Sequence, residues 1–267
     1  MTIIQNLWRA IPFLEIFNAL LTVFMLVPIL IIILVSFSPT GGYVIPTTHW
    51  SLQWYLEIPK YGRFIYGFFV SLALAFAAAA FATILGFMAS YALTRYDFKG
   101  KRLLDAIFFS PLTMPAVIVG FALLIYVSKL GFYDTFTSFL LAHIILCVPY
   151  VIKTINTSLE GVSKDLELAA MSLGASRLTT FLMITVPLVK TGIVGGFVYA
   201  YLVSFGEVTL ALFLSGTKMT TLPLLMFNYM QDVNSPLIAA ISALLIVFAV
   251  LLTVLVNRIV SLKDVMS

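Results

Sequence analysis

Of the 267 residues, 62% are hydrophobic and only 10% are charged, with a formal net charge of +4 and a mean hydropathy of +1.11. Soluble domains carry nearer a quarter charged residues, so this composition excludes an ordinary water-soluble enzyme or binding domain and implies a polytopic membrane protein. The basic excess does not indicate nucleic acid, because Lys and Arg are scattered between apolar stretches, and the single Cys147 excludes a disulfide framework or a cysteine-based metal site.

A membrane span needs ~20 mainly apolar residues, and six stretches qualify. The first is Ile16–Phe37, broken only by Pro28. Arg9 stands before it, but the stretch is too long for a signal peptide and lacks a small-residue cleavage site. A loop from Ser38 to Gly62 follows, with Pro39, Gly41, Gly42 and Pro46, and with Trp50 and Trp54, whose rings suit a membrane–water interface. Phe64–Thr94 is uncharged throughout and longer than a bilayer needs, so it must tilt, bend at Gly86 or extend beyond the lipid. The basic loop Arg95–Arg102 leads to a third span, Leu103–Ser128, with Pro111 and Pro115, and a fourth, Phe136–Ile155, with His143 and Pro149. Prolines in spans free carbonyls that neighbouring helices or a water-lined cavity must satisfy. The fifth span, Thr191–Leu214, includes Gly192, Gly195 and Gly196, which allow close helix packing. Pro236, suited to a first helical turn, opens the sixth, Leu237–Val256.

Between the fourth and fifth spans, from Glu160 to Pro187, the chain turns polar and patterned. Leu166, Ala169, Ala170 and Leu173 recur at i, i+3, i+4 and i+7, which puts small apolar residues on one stripe of a short helix. Ser163 is placed to cap its start, and Gly174 to end it in a left-handed conformation. A second amphipathic start, Ser176 followed by Leu178, Phe181 and Leu182, comes at once. The pattern predicts a helix–turn–helix with a small-residue face; by itself it also fits a helix lying on the headgroups.

Lys and Arg in short loops set orientation. One side collects Arg9, Arg95, Lys99, Lys101, Arg102, Lys153, Lys164, Arg177, Arg258 and Lys263, the other only Lys60, Arg63, Lys129 and Lys218. Both termini and the Glu160–Pro187 stretch are therefore expected on the cytoplasmic side. No clean internal duplication supports the inverted repeats of many secondary transporters.

No Walker A loop, His-Glu-x-x-His or Gly-x-Ser-x-Gly occurs in the sequence, so the chain is not expected to be an enzyme. Glu207 falls inside the fifth apolar stretch, where an ionisable group is costly enough to imply a function. Either it lines a polar pathway that attracts a cation, or it anchors a neighbouring helix or subunit. His143 and Tyr150, seven residues apart on the fourth span, share a face; they are either satisfied interior residues or pathway lining.

The run Glu167-Leu-Ala-Ala-Met-Ser-Leu-Gly174-Ala-Ser, with Pro187 beyond it, resembles the EAA loop of binding-protein-dependent ABC importer permeases. In that family the glutamate usually stands directly before the two alanines, where this chain has Leu168. The resemblance extends to Val27-Pro-Ile-Leu, Val-Ser-Phe-Ser-Pro39, Trp50-Ser-Leu-Gln-Trp-Tyr55, the stretch from Tyr91 to Leu104, the stretch from Ser110 to Gly120, and Ala142-His143, all similar to the shorter permease of spermidine/putrescine importers. It implies an all-α membrane protein of the type I ABC importer permease (MetI-like) fold: six transmembrane helices in a single permease domain over 1–267, with a cytoplasmic coupling loop about 159–187. In that loop Leu166, Glu167, Ala169, Ala170, Leu173 and Gly174 are the ATPase-coupling residues; Glu207, His143 and Tyr150 are the candidate substrate pathway. The implied setting is a bacterial inner membrane, with a second homologous permease, two cytoplasmic ATPase subunits and an extracytoplasmic solute-binding protein as partners, and no nucleic acid. The resemblance implies no cofactor or metal in this chain, with ATP and Mg in the ATPases. It implies a polyamine or similar organic cation as the solute, the alternative being a permease for another small solute, an opine, an aminophosphonate or an amino-acid-like one. From other classes, a self-contained secondary transporter or channel would need more than Glu207 to couple to a gradient, and a non-transporting membrane scaffold is a third reading.

Overall fold

The computed structural model describes residues 2–46 and 49–265, with side chains described for 14–46, 49–255 and 258. The side chains of Arg9 and Lys263, both used in the orientation count, lie outside the described residues. In chain order the helices are α1 (Thr2–Val35), α2 (Gln53–Glu57), α3 (Gly62–Arg95), α4 (Lys101–Thr113), α5 (Ala116–Lys129) and α6 (Phe136–Glu160). There follow α7 (Lys164–Ser172), α8 (Arg177–Thr180), α9 (Val186–Leu188), α10 (Lys190–Phe205), α11 (Thr209–Leu214), α12 (Leu222–Asp232) and α13 (Leu237–Val265). No strand occurs among the described residues.

Leu14–Val35, α3, α6 and Leu237–Leu255 are each long and apolar enough to cross a membrane, and two bent helix pairs bring the candidates to 6. The first bent pair, α4 and α5, covers the third span read from sequence, and its two helices meet at 106°. Pro115 explains the break, because its ring disfavours the helical region for the residue before it, and Met114 is extended at φ −94°, ψ 141°. In the second pair, Arg177–Leu188 meets α10 at 69°. The fifth span also ends earlier than expected. α10 stops at Phe205, and α11 restarts at Thr209 after a break that contains Glu207.

The chain forms two compact units, one of α1, the following loop, α2, the second half of α12 and most of α13, the other running from α3 to the first half of α12. In the first, the loop after α1 folds back on itself. Trp54 Nε1 donates to the Ser38 carbonyl at 2.8 Å, Ser36 and Tyr55 share a hydroxyl hydrogen bond of 2.6 Å, and the Phe37 ring lies 5.6 Å from Trp50 and 5.5 Å from Tyr55. Trp54 is thus partly a structural clamp, while Trp50 remains 59% exposed.

The second unit is built on α6 and α10, packed antiparallel through small residues. On α10, Gly192, Gly196, Ala200 and Ser204 recur every fourth position and face Ile155, Val151, Cys147 and His143 of α6 in reverse order. A Cβ on Gly192 would come 2.6 Å from the Ser158 Cβ, so the backbones there are close enough to require a residue with no side chain. α3 joins the same face: a Cβ on Gly86 would come 2.7 Å from Val151, and Ser90 Oγ donates to the Ile152 carbonyl at 3.2 Å. At the opposite end, Phe139, Leu210, Leu214 and Val127 form a core with Leu74 and Met219. A Thr135–Ser138 capping box starts α6 beside it.

Candidate functional site

The short helix α7 starts where Ser163 accepts a hydrogen bond from the Asp165 N–H. It ends in a left-handed turn at Gly174, φ +94°, with Ala175 N donating to Ala170 O at 3.1 Å and Gly174 N to Met171 O at 3.0 Å. Those two bonds form a Schellman motif, which leaves the chain free to begin α8 with Ser176 as its cap. The helix–turn–helix expected from sequence is therefore present. The residues of its stripe differ in exposure: Leu173 is 91% exposed and Leu166 50%, Ala169 is exposed and Ala170 half-buried.

Glu167 points the other way. It is 7% exposed, and its Oε1 accepts from Arg95 Nε at 2.8 Å and from the Thr185 hydroxyl at 3.0 Å. The Tyr91 hydroxyl approaches Oε2 at 3.4 Å, while Arg95 Nη2 donates to the Val162 carbonyl at 3.0 Å. The pair is buried on both sides, with side-chain exposures of 5% and 9%, so it is satisfied by hydrogen bonds as a buried ion pair must be. Glu167 thus ties α7 to the end of α3 and to a π-helical turn, Phe181–Thr185, rather than presenting a charge outward. Arg95 and Thr185 were not singled out in the sequence; only the position of Arg95, closing a long uncharged run, hinted at its role.

The candidate pathway residues lie where α6 meets α10 and α11. His143 is fully buried, its Nδ1 hydrogen-bonded to the Ser204 hydroxyl at 2.7 Å, while Nε2 has no partner among the described residues. Tyr150 is half-buried and packs edge to face on Tyr199 with centroids 5.1 Å apart, on the same side of α6 as its spacing from His143 predicts. Glu207 occupies the helix break, not the interior of a span. Its Oε1 accepts from the Leu210 N–H at 3.0 Å, which supplies a free N–H at the start of α11 with a partner. Its charge lies near enough to act on Cys147 and Tyr150. Tyr150, which that charge reaches, carries Tyr199 against its ring, so a carboxylate and two phenol rings share this region. Tyr199, 46% exposed, carried no signal in the sequence beyond its type.

Asp134 was also missed. It adopts φ +56° in the turn before α6, and accepts from Gly216 N, Lys218 N and Met219 N, each at 2.9 Å. Burial alone would raise its carboxyl, but the N–H groups of Lys218, Met219, Gly216 and Thr217 together hold it below the usual carboxylate value.

The sequence profile of the family described as "Binding-protein-dependent transport system inner membrane component" matches residues 82–263. The chain is 32% identical over 232 residues to the spermidine/putrescine transport system permease protein PotC of Haemophilus influenzae, covering 87% of this chain and 90% of that one. It is 31% identical over 251 residues to the putrescine transport system permease protein PotI of Escherichia coli (strain K12), covering 91% of this chain and 87% of that one. Among solved structures, it resembles a chain of the MetNI methionine ABC transporter in inward facing conformations, with a TM-score of 0.67 and 16% identity, covering 76% of this chain and 97% of that one.

Proposed function

Because the chain belongs to the family of binding-protein-dependent transport system inner membrane components and has the type I ABC importer permease fold, we propose that it forms half of a translocation pathway with a second, homologous permease. In this reading two cytoplasmic ATPases supply the energy, with ATP and Mg bound there, and an extracytoplasmic solute-binding protein delivers the solute at a bacterial inner membrane. The observation that carries it is α7. An amphipathic helix outside every span turns its apolar stripe outward, Leu173 almost fully exposed, while Glu167 fastens it to α3 from behind. Such a helix has what a lever needs, a free docking face and a rigid attachment.

The solute we assign is a polyamine or similar organic cation. The permeases at 32% and 31% identity support it by name, and the Glu207, Tyr150 and Tyr199 cluster supports it chemically. A carboxylate cannot be solvated by lipid tails, so Glu207 belongs on a water-lined face, where a cation would pass over the neighbouring rings. The test is reconstitution in proteoliposomes with the partner permease, ATPases and binding protein. ATP-dependent uptake of labelled putrescine or spermidine is expected. Uptake of a different solute with none of either polyamine would overturn the substrate assignment, and failure of this chain to retain an ATPase subunit in mild detergent would overturn the subunit reading.

A further inference from the structure

Behind the outward face of α7, in the angle between α7, α8 and the end of α3, lies a cavity of about 210 Å³. Pockets for whole small molecules run to ~300–1,000 Å³, so this one suits a single charged group. Its wall carries three cations, Arg95, Lys164 and Arg177, and one carboxylate, Glu167. That carboxylate is already engaged by Arg95, Thr185 and Tyr91. Lys164 and Arg177 form no ion pair among the described residues; Lys164 acts on Asp97 only from beyond that range, and Asp97 is held by Lys101 at 3.0 Å. Thr180 makes an independent case. It lines the cavity, is 2% exposed, and its hydroxyl has no hydrogen-bond partner among the described residues. Buried hydroxyls are rarely left so.

The surroundings point to the source of the anion. Arg95 follows the uncharged run Phe64–Thr94, which at 1.5 Å per residue extends ~45 Å, about a bilayer with its headgroup layers. The cavity therefore sits at headgroup depth. From Arg177 onward the chain crosses the direction of α10 at 69° and exposes Leu178 (67%), Leu182 (54%) and Met183 (71%) next to the cationic rim, the layout of a helix lying in the interface. We infer that this cavity receives the phosphate of an anionic membrane lipid, held by Lys164, Arg177 and the Thr180 hydroxyl, with the acyl chains along Leu178, Leu182 and Met183.

The test uses the full-length protein in nanodiscs of phosphatidylglycerol and phosphatidylcholine, with retained lipid read by native mass spectrometry. Wild type should retain phosphatidylglycerol preferentially. Each cation removed should lower retention roughly fivefold, the equivalent of ~1 kcal/mol per basic residue at an anionic surface, so Lys164→Gln with Arg177→Gln should lose roughly 25-fold. Thr180→Val, nearly isosteric, should also lose retention, whereas Lys99→Gln with Arg102→Gln, on cations outside the cavity, should match wild type. Equal retention of the two lipids by wild type overturns the inference, as does an equal loss in the Lys99 and Arg102 control, which would mean diffuse surface charge. Displacement of the lipid by equimolar inorganic phosphate would assign the site to a soluble anion instead. If the lipid preference is absent but Lys164→Gln with Arg177→Gln weakens ATPase retention, the occupant is a carboxylate of the partner.

Discussion

Arg95 Nε and Glu167 Oε1 lie 2.8 Å apart across 72 residues of chain, and this bond sets the direction in which α7 faces. Both side chains are buried. Removing one partner of such a pair leaves an uncompensated buried charge, at a cost of ~3–5 kcal/mol. Glu167→Ala should therefore lower thermal stability in detergent by that amount and reduce ATPase-coupled uptake, whereas Arg95→Met with Glu167→Leu should recover much of the stability. A Glu167→Ala protein with wild-type unfolding and full uptake would show that α7 needs no such anchor.

Asp134 gives a pH dependence with a definite sign. Its carboxyl is held below the ordinary 3.8 by the N–H donors of the 216–219 loop. A folded value below the unfolded one means the stabilisation is present above about pH 4, and is lost as pH falls through the depressed folded value. Asp134→Asn should be less stable than wild type by ~1.5–3 kcal/mol at pH 7, the worth of a hydrogen bond to a charged group. The gap should close as the pH drops below 4. Asn is the informative substitution because it tolerates the left-handed backbone at φ +56°. A constant gap between pH 3 and pH 7, followed by thermal unfolding, would contradict the charge argument.

Periodicity and punctuation made the helices legible: the stripe Leu166 to Leu173, the Ser163 cap and the Gly174 turn all lie within one local window, and local rules decide them. The span boundaries failed where a backbone break competes with apolar composition. Thr191–Leu214 reads as one apolar run, yet Glu207 bonds Leu210 N and starts a second helix. Contacts between distant segments were beyond reach for another reason. Nothing near Asp134 announces partners 82 to 85 residues away, and nothing near Thr185 announces Glu167. Gly192, Gly195 and Gly196 were legible as residues that allow close packing, but not their continuation through Ala200 and Ser204, nor which helix would fill the groove.

Glu207 separates a pathway role from an anchoring one. Glu207→Gln keeps an oxygen to accept the Leu210 N–H, so α11 should remain and the permease should assemble normally. Loss of the charge should weaken apparent polyamine affinity in the uptake assay roughly tenfold, within the ~1–4 kcal/mol of a charge pair at about 4 Å between water and a partly buried site. Tyr199→Phe should be mild and Tyr199→Ala harmful, since the ring face rather than the hydroxyl attracts the cation. Failed assembly of Glu207→Gln would make the residue an anchor, and unchanged uptake and assembly would remove it from both roles.

The outward stripe of α7 yields the sharpest test of coupling. A leucine buried on docking contributes ~1.5–3 kcal/mol, whereas a carboxylate forced unpaired into an apolar groove costs several kcal/mol. Ala169 is the place to put one, because it is exposed in this chain while Ala170 is half-buried, where an aspartate would disturb the helix itself. Ala169→Asp should insert in the membrane and keep its stability, yet lose ATPase retention and uptake. Ser172→Asp lies off the stripe and is also exposed, so it should remain close to wild type, and Leu173→Ala should fall between the two. Gly174→Val acts differently: at φ +94° a β-branched residue is strained, so it should re-aim α8 against α7 and lose coupling together with stability. Retention and uptake are compared at matched expression. Equal behaviour of Ala169→Asp and Ser172→Asp would mean that α7 docks on nothing, and that the stripe only rests against the membrane surface.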